Sequence, residues 1–267
     1  MVVAGLASGT AQGTLPWSWY SDPEVLRRER ERIFGHGWQY AGPAEESPAP
    51  SGRTERWGPL VFANTDAEAR PLAEMLGPIP GHLAAAGVDV DLLRFRRRSE
   101  FELACNWKIA VENYLECYHC SVAHPGFSAV VDVSPDAYRL ETDELTSSQF
   151  GPTKTGEGPV EGQFHWVWPT TKIYVLPGPP NLAAGPVTPL RPERSSGWLD
   201  YFFPEEVSDA EVEELLAFDD QVGLEDRSLV ESVQAGVSSG LLDTGRLLPE
   251  SERLLAHFQR LVREALA

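Results

Sequence analysis

The chain has 267 residues, of which 42% are hydrophobic and 10% aromatic, and it carries a formal net charge of −18. This length is enough to bury one large core. The charge argues against nucleic acid or an anionic membrane as a partner, because basic surfaces recognise both, and no apolar run approaches the roughly 18 residues of a membrane span. Three cysteines without a disulfide framework favour a reducing, cytoplasmic setting.

The sequence divides into four parts. Its first residues lack the cationic and apolar regions of a signal peptide and predict a flexible tail. Ser21-Asp22-Pro23 then predicts the start of a helix over 22–35, because proline suits the first helical turn. The predicted parts are a tail at 1–16, an N-terminal helical segment at 17–46, a short linker at 47–52 and a domain at 53–267.

Strands are predicted early in this domain, around 59–64 and 92–105, ahead of a helix that begins near Trp107. Further segments separated by Pro/Gly turns such as Pro177-Gly-Pro-Pro180 are typical of an antiparallel sheet. These predicted strand segments are 137–151, 162–176, 183–191 and 196–204.

Two long helices are predicted near the C-terminus, at 208–236 and 250–265. The first begins at Ser208, because Glu211 follows at the spacing of a capping box. Strands grouped around a long C-terminal helix indicate the α+β class.

The segment 106–125 carries the clearest sign of chemistry. In a continuous helix, Glu112, Glu116 and His119 would share one face because they are spaced at i, i+4 and i+7. His124 would lie about 140° further round, but the residue before a proline avoids the α region. We therefore expect the helix to end at about His124, so that its ring turns back toward His119.

The alternative is that these are ordinary polar residues, because a lone helical histidine is usually solvated and paired glutamates are usually surface charge. Here, however, Asn113, Glu116 and both histidines interrupt an otherwise apolar segment. Polar groups on a core-facing helix are costly unless they are satisfied, and a metal ion would satisfy them. The pattern predicts that His119 and His124 are metal ligands.

The segment closely resembles a known family. The motifs that carry the resemblance are Asn106-Trp107-Lys108, Glu112-Asn113-Tyr114, Glu116-Cys117-Tyr118-His119-Cys120 and His124-Pro125. They are similar to the catalytic domain of the Rieske non-haem iron oxygenases, the large subunits of aromatic-ring-hydroxylating enzymes. The likeness continues through Trp57–Asn64, Tyr174–Pro180 and Gln221–Gln234.

The resemblance implies a mononuclear Fe(II) site in which His119, His124 and a downstream aspartate form a facial triad. By motif position that aspartate is Asp226, although Asp219, Asp220 and Glu225 are nearby alternatives. The resemblance also implies that Glu116 orients His119, with Asn113 close by.

The family fold would be a helix-grip, START-like antiparallel sheet around the long helix. Its members act on small aromatic or amine-type substrates with O₂ and form trimers. We therefore expect a homo-oligomer, although the trimer depends on a Rieske domain in the relatives.

A Rieske [2Fe–2S] cluster needs one Cys-x-His and one Cys-x2-His pair. Cys117-Tyr118-His119 has the Cys-x-His spacing, but Cys120 and His124 are spaced as Cys-x3-His and no gap separates the two pairs, so we predict no such cluster. In the family, the Rieske domain would occupy the position of linker 47–52. Cys117-x2-Cys120 lacks the partner pair of a zinc site and the helix N-terminus of a thioredoxin-type site, so we expect small packing residues.

A helix-grip fold leaves a cavity beside its helix, and alternating strand positions supply candidates to line it. These candidates are Phe164, His165, Trp166, Trp168, Tyr174 and Phe202. Aromatic residues in a sheet are more often core, and an ordinary core histidine is the simpler interpretation of His165.

Without its own cluster, the protein needs another source of electrons. The first hypothesis is an iron oxygenase or oxidase whose substrate supplies all of them. The second is an external electron donor, as for a split or deliberately truncated catalytic domain. The third is a ligand-binding module with a vestigial metal site.

Overall fold

The computed structural model describes residues 13–46, 52–154 and 161–267. Its helices are α1 (Pro23–Glu29), α2 (Leu72–Leu76), α3 (Ile79–Ala85), α4 (Trp107–Tyr114), α5 (Cys120–Ala123), α6 (Pro125–Val130), α7 (Asp209–Ser238) and α8 (Arg253–Leu266). Its strands are β1 (Gln39–Pro43), β2 (Arg53–Trp57), β3 (Leu60–Asn64), β4 (Arg94–Leu103), β5 (Arg139–Thr142), β6 (Thr146–Pro152), β7 (Glu161–Val167), β8 (Thr171–Val175), β9 (Leu182–Arg191) and β10 (Arg194–Phe203). This confirms the predicted α+β class with a long C-terminal helix.

Two antiparallel sheets form the framework. A three-stranded sheet has the order β1-β3-β2, and a seven-stranded sheet has the order β4-β10-β9-β8-β7-β6-β5. Strands β5 to β10 are consecutive neighbours joined by antiparallel pairing, and β4 adds to the edge beside β10. Helix α4 contacts α7, β9 and β10. The large sheet and α7 thus enclose the helix that leads to the two histidines.

Two predicted strand segments are hairpins in the structure. The segment 137–151 is divided into β5 and β6, and the segment 162–176 into β7 and β8. The second turn contains the cis peptide bond Trp168–Pro169. Proline cannot donate to a strand ladder, so the long strand predicted there is wrong.

Helix α4 begins as the sequence predicts but ends ten residues before His124. The Asn106 side chain caps it by accepting a hydrogen bond from the Lys108 amide at 2.9 Å. The helix ends at Tyr114, and Glu112 accepts hydrogen bonds from Tyr20 Oη at 2.7 Å and Gln259 Nε2 at 2.8 Å. The expectation that Glu112 shares a helical face with Glu116 and His119 is therefore wrong.

The N-terminal segment is joined to α4 by a buried ion pair. The side chains of Glu29 and Lys108 are both fully buried, and Lys108 Nζ donates to one Glu29 oxygen. The other Glu29 oxygen accepts from Trp107 Nε1 at 2.8 Å, and Lys108 Nζ also donates to the Trp19 carbonyl at 3.1 Å. Burial lowers the pKa of Lys108, but Glu29 counteracts it.

The start of the described chain also packs on this core. Leu15 is fully buried, and its amide donates to Gln259 Oε1 at 2.9 Å. The prediction of a flexible tail at 1–16 is therefore wrong for residues 13–16, because an apolar side chain there packs beside α8. Residues 1–12 of the predicted tail, and residues 47–51 of the predicted linker, lie outside the described residues. No helix in the described ranges is long and apolar enough to cross a membrane.

Removing one charge of the Glu29–Lys108 pair should lower the free energy of unfolding more than its share of the loss when both charges are removed. We expect Lys108→Met and Glu29→Gln each to lower the free energy of unfolding by about 3–5 kcal/mol, because each leaves a buried group without its partner. The double variant should lose less than the sum of the two. Urea denaturation of the four proteins measures this coupling, and strictly additive losses would contradict it.

Candidate metal centre

The two histidines lie at opposite ends of the short helix α5. After α4 ends, the chain continues to His119, which immediately precedes α5. His124 follows α5 with φ −120° and ψ 72°, outside the α region, as expected for a residue before Pro125. The predicted departure from helix at His124 is confirmed. Helix α7 passes on the other side and carries Glu225 and Asp226.

Three potential ligand atoms converge between these elements. His119 Nε2 lies 3.1 Å from His124 Nε2, which lies 3.0 Å from Asp226 Oδ1. The remaining distance, from His119 Nε2 to Asp226 Oδ1, is 3.6 Å. Ligands about 2.0–2.2 Å from one ion and at right angles to each other lie roughly 3 Å apart. Two imidazoles and one carboxylate at this spacing fit the donor set of a facial triad.

A carboxylate contacts each imidazole ring at Nδ1, on the side away from the converging Nε2 atoms. Glu116 Oε1 contacts His119 Nδ1, and Glu225 Oε2 lies 2.8 Å from His124 Nδ1. An ionised carboxylate can only accept, so each Nδ1 donates its hydrogen to a carboxylate while each Nε2 faces the centre. Asn113 Nδ2 donates to Asp226 Oδ1 at 2.7 Å and fixes the third group. Glu116 and Asn113, the two residues predicted to orient the ligands, thus contact His119 and Asp226 respectively.

The electrostatics of the three groups favour a bound cation. Burial lowers the pKa of His119, but hydrogen bonds to Asp226 and Glu116 outweigh it and raise that pKa to about 9. Burial raises the pKa of Asp226, but hydrogen bonds from His119 and His124 hold it well below its usual range. Without a cation, two Nε2 lone pairs and a carboxylate oxygen would face each other. Either protons or a metal ion must lie between them, so metal binding displaces protons.

The other acidic candidates lie elsewhere. Glu225 binds the Nδ1 side of His124, away from the three converging atoms. Asp219 accepts hydrogen bonds from Tyr174 Oη at 2.5 Å and Tyr201 Oη at 2.6 Å. Asp220 is exposed on α7. Among the residues that the structure describes, the group of potential metal ligands is His119, His124 and Asp226.

The cysteine pair differs from the prediction. Cys117 and Cys120 form a disulfide, whereas Cys105 is free and buried. Their Cα atoms are 5.0 Å apart, within the range of about 4.4–6.8 Å that a disulfide requires. The expectation of unbonded packing residues is wrong, because the turn that enters α5 brings the two side chains together. Cys120 Sγ also lies 3.9 Å from His119 Nε2.

A cavity opens directly beside the three converging atoms. Apolar residues of its wall are the aromatic Tyr114, Phe127, Tyr138, Phe164 and Tyr174 and the aliphatic Leu176, Leu199 and Val222. Besides the three converging groups, polar residues in the wall are Asn113, Glu116, Gln149, Lys172 and Asp219. The rings contact one another, with centroids 5.5 Å apart for Phe127–Phe164 and 6.1 Å for Phe164–Tyr174.

Tyr174 and Phe164 line this cavity, but the other predicted pocket residues do not. Trp166 and Trp168 pack on Phe258 of α8, with centroids 5.4 and 6.3 Å from its ring. Phe202 packs on Phe95 in the main core, with ring centroids 6.0 Å apart. The prediction that Trp166, Trp168 and Phe202 line the cavity is therefore wrong, because the strands extend well beyond the cavity.

His165 faces the opposite side of the sheet from Phe164 and is a core histidine. Its ring stacks on His82 and hydrogen-bonds Ser148 Oγ at 2.8 Å and Gln163 Oε1 at 3.1 Å. Burial, reinforced by His82, lowers its pKa to about 3, so it stays neutral. Sequence reasoning missed Lys172 as a wall residue, although its position two residues before Tyr174 on one strand was a usable signal.

Solved structures share this fold. A quaternary ammonium Rieske monooxygenase superposes with a TM-score of 0.83 and 23% identity, over 96% of this chain and 96% of that chain. Naphthalene 1,2-dioxygenase from Rhodococcus sp. superposes with a TM-score of 0.75 and 14% identity, over 95% and 94%. These two likenesses show that the chain has the fold of these proteins.

The chain belongs to the family of ring-hydroxylating oxygenase α subunits, since the family's catalytic-domain model matches residues 90–267. The carnitine monooxygenase oxygenase subunit of Escherichia coli K12 is 33% identical over 79% of this chain, and that of Acinetobacter pittii is 32% identical over 79%. The chloroplastic choline monooxygenase of Arabidopsis thaliana is 31% identical over 79% of this chain and 57% of its own length. The chain spans 60–61% of the length of the two carnitine enzymes.

The amount of iron that each variant retains should show which acidic residue of α7 is the metal ligand. We expect Asp226→Ala to lose most of the iron, because it removes one of three ligands. Asp219→Asn should keep the iron, since its oxygen faces two tyrosines, and Glu225→Ala should weaken binding by about 10- to 100-fold through His124. Metal analysis after Fe(II) loading and dialysis measures this. Equal losses in Asp219→Asn and Asp226→Ala would contradict the assignment of Asp226.

Proposed function

We propose that the chain is the catalytic domain of a mononuclear non-haem Fe(II) oxygenase that acts on a quaternary ammonium compound. One observation carries the proposal: two imidazoles, each held by a carboxylate, converge with Asp226 beside an aromatic cavity. His119, His124 and Asp226 would hold Fe(II), which when bound activates O₂ at open coordination positions. The remaining residues orient these ligands and position the substrate.

The orienting residues act through single hydrogen bonds. Glu116 and Glu225 accept the Nδ1 hydrogens and keep both Nε2 atoms free for the ion. Asn113 donates to Asp226 and leaves that carboxylate less free to rotate. All three groups are on α4, α7 or the chain next to α5, so the site is held by helices rather than by long loops.

The cavity wall favours an organic cation. Aromatic faces attract quaternary ammonium groups, and Tyr114, Phe164 and Tyr174 lie together in the wall. Asp219 adds negative charge behind Tyr174, and the net charge of the whole chain is −18. The carnitine and choline monooxygenases among the relatives support the same substrate class. We assign the sheet and α7 to the helix-grip fold on the same family basis.

The electron source has two candidates. The 267 residues contain no Cys-x2-His spacing of a Rieske cluster, so we infer an electron source outside these residues, either the substrate or a donor. An exposed apolar face favours the donor: next to Glu116 and His119, Tyr118 is 54% exposed and Val122 is 87% exposed. A donor bound there would lie beside the carboxylate that holds His119.

The protein should turn over quaternary ammonium compounds and not aromatic hydrocarbons. We expect the Fe(II)-loaded protein, given a reduced ferredoxin-type donor, to consume O₂ with L-carnitine, γ-butyrobetaine or choline but not with naphthalene. Oxygen uptake and substrate loss are measured together. The His119→Ala/His124→Ala double variant is the control and should lose both iron and activity. Uptake with naphthalene alone would assign the aromatic branch. Ligand binding by a protein that retains no iron after Fe(II) loading and consumes no O₂ would indicate a binding module.

The exposed face formed by Tyr118 and Val122 should affect the transfer of electrons from the donor but not the iron content of the protein. We expect Tyr118→Ser/Val122→Ser to raise the KM for the donor several-fold with unchanged iron content, while the matched surface change Leu92→Ser has no effect. Glu116→Gln should lower turnover by about 10- to 100-fold, because the support of His119 weakens. Full activity without any donor would show that the substrate supplies the electrons.

A further inference from the structure

The cavity contains an ammonium group whose role the metal site does not explain. Lys172 is on β8, and its side chain is on the same sheet face as Tyr174, two residues further along. It lines both the cavity at the metal centre and a neighbouring cavity, which Phe101, Leu103 and Val230 help to form. Lys172 therefore stands at the junction of two spaces.

Within the described ranges, Lys172 Nζ has neither a hydrogen-bond acceptor nor a carboxylate within ion-pair distance. Its neighbours are aromatic rings: Nζ lies 5.2 Å from the ring centroid of Tyr114 and 5.5 Å from that of Phe101. Lys172 is partly exposed, so its ammonium group is accessible from the two cavities that it lines, and it has no hydrogen-bonding or ionic partner among the described residues.

Lys108 provides the comparison within the same chain. Lys108 is fully buried and lies 5.1 Å from the centroid of Tyr20 and 5.4 Å from that of Trp107, but it has Glu29 and the Trp19 carbonyl as partners. The structural lysine thus has partners within the protein, whereas the cavity lysine has rings alone among the described residues. Because Lys172 is accessible from the cavity, its acceptor is water or a ligand that replaces that water.

The surrounding groups restrict what that ligand can be. Burial lowers the pKa of Lys172, and the carboxylates of Asp226 and Asp219 oppose the shift. The rings of Tyr114, Phe164 and Tyr174 lie in the same cavity wall as this ammonium group. A molecule that carries an anion and a cation can use both, because its anion can bind Lys172 while its cation lies against the rings.

We propose that Lys172 binds the carboxylate of a zwitterionic substrate whose quaternary ammonium group lies against the aromatic wall. The part of this proposal that concerns the quaternary ammonium group rests on the proposed function; the part that concerns the carboxylate is new. It makes Lys172 a specificity-determining residue: a charge-assisted hydrogen bond to a carboxylate would separate zwitterions from cations such as choline. One such bond is worth about 1.5–3 kcal/mol, or roughly tenfold or more in Kd.

The test compares γ-butyrobetaine with its methyl ester, which keeps the ammonium group and loses the negative charge. Calorimetry on the Zn(II)-loaded protein measures binding without turnover. We expect the wild type to bind the zwitterion at least about tenfold more tightly than the ester. Lys172→Met should abolish that preference and leave the affinity for the ester within about threefold. Lys154→Met, at an exposed lysine that donates to the Ser128 carbonyl, is the control and should keep it.

Thermal unfolding adds a readout that does not depend on any ligand. Lys172→Met should leave the Tm of the ligand-free protein close to that of the wild type, because it removes a partly exposed charge that has no hydrogen-bonding or ionic partner among the described residues. Lys108→Met should lower the Tm.

Equal binding of zwitterion and ester by the wild type would overturn the proposal, and so would an unchanged preference in Lys172→Met or no binding at all. Butyrate bound as tightly as γ-butyrobetaine would support the carboxylate subsite while refuting the quaternary ammonium part of the proposed function.

Discussion

The two imidazole rings face each other because the backbone leaves the helical conformation at His124, where α5 ends. His119 precedes that helix and His124 follows it, with Pro125 preventing a continuous helix through residue 124. In an unbroken helix, residues five apart point in different directions. The departure brings their Nε2 atoms to 3.1 Å, and the other features of the centre depend on that approach. Glu116 and Glu225 then hold each ring, and Asp226 completes the set.

Much of this local structure follows from short-range rules. The caps at Asn106 and Ser208, the pre-proline conformation of His124 and the ends of α7 are all determined by residues within a few positions of one another. The family motifs likewise identify both histidines and Glu116. What the sequence does not determine is where α4 stops, since Glu112 and Glu116 suit the same face equally well. The difference lies in distant partners: Glu112 binds Tyr20 and Gln259.

The cavity wall was harder to predict because strand alternation indicates the face of a residue and not its position along the sheet. Phe164 and Trp166 share a face of β7, yet one ring meets Phe127 at the cavity and the other meets Phe258 in the core. Helices α6 and α8, distant in sequence, make that difference. The same limit applies to the cysteine pair, whose bonding depends on the conformation that the chain adopts between α4 and α5.

Helix α7 has 30 residues and forms contacts with distant parts of the molecule along its length. Asp219 binds two tyrosines of the sheet, Glu225 and Asp226 reach the histidines, and Gln234 accepts from the Asn106 amide at 2.7 Å. One residue inserted between these positions would turn the rest of the helix by about 100° and advance it by about 1.5 Å. The evolution of this helix should therefore proceed by substitution and hardly ever by insertion or deletion, because its length aligns the cavity, the metal centre and the start of α4.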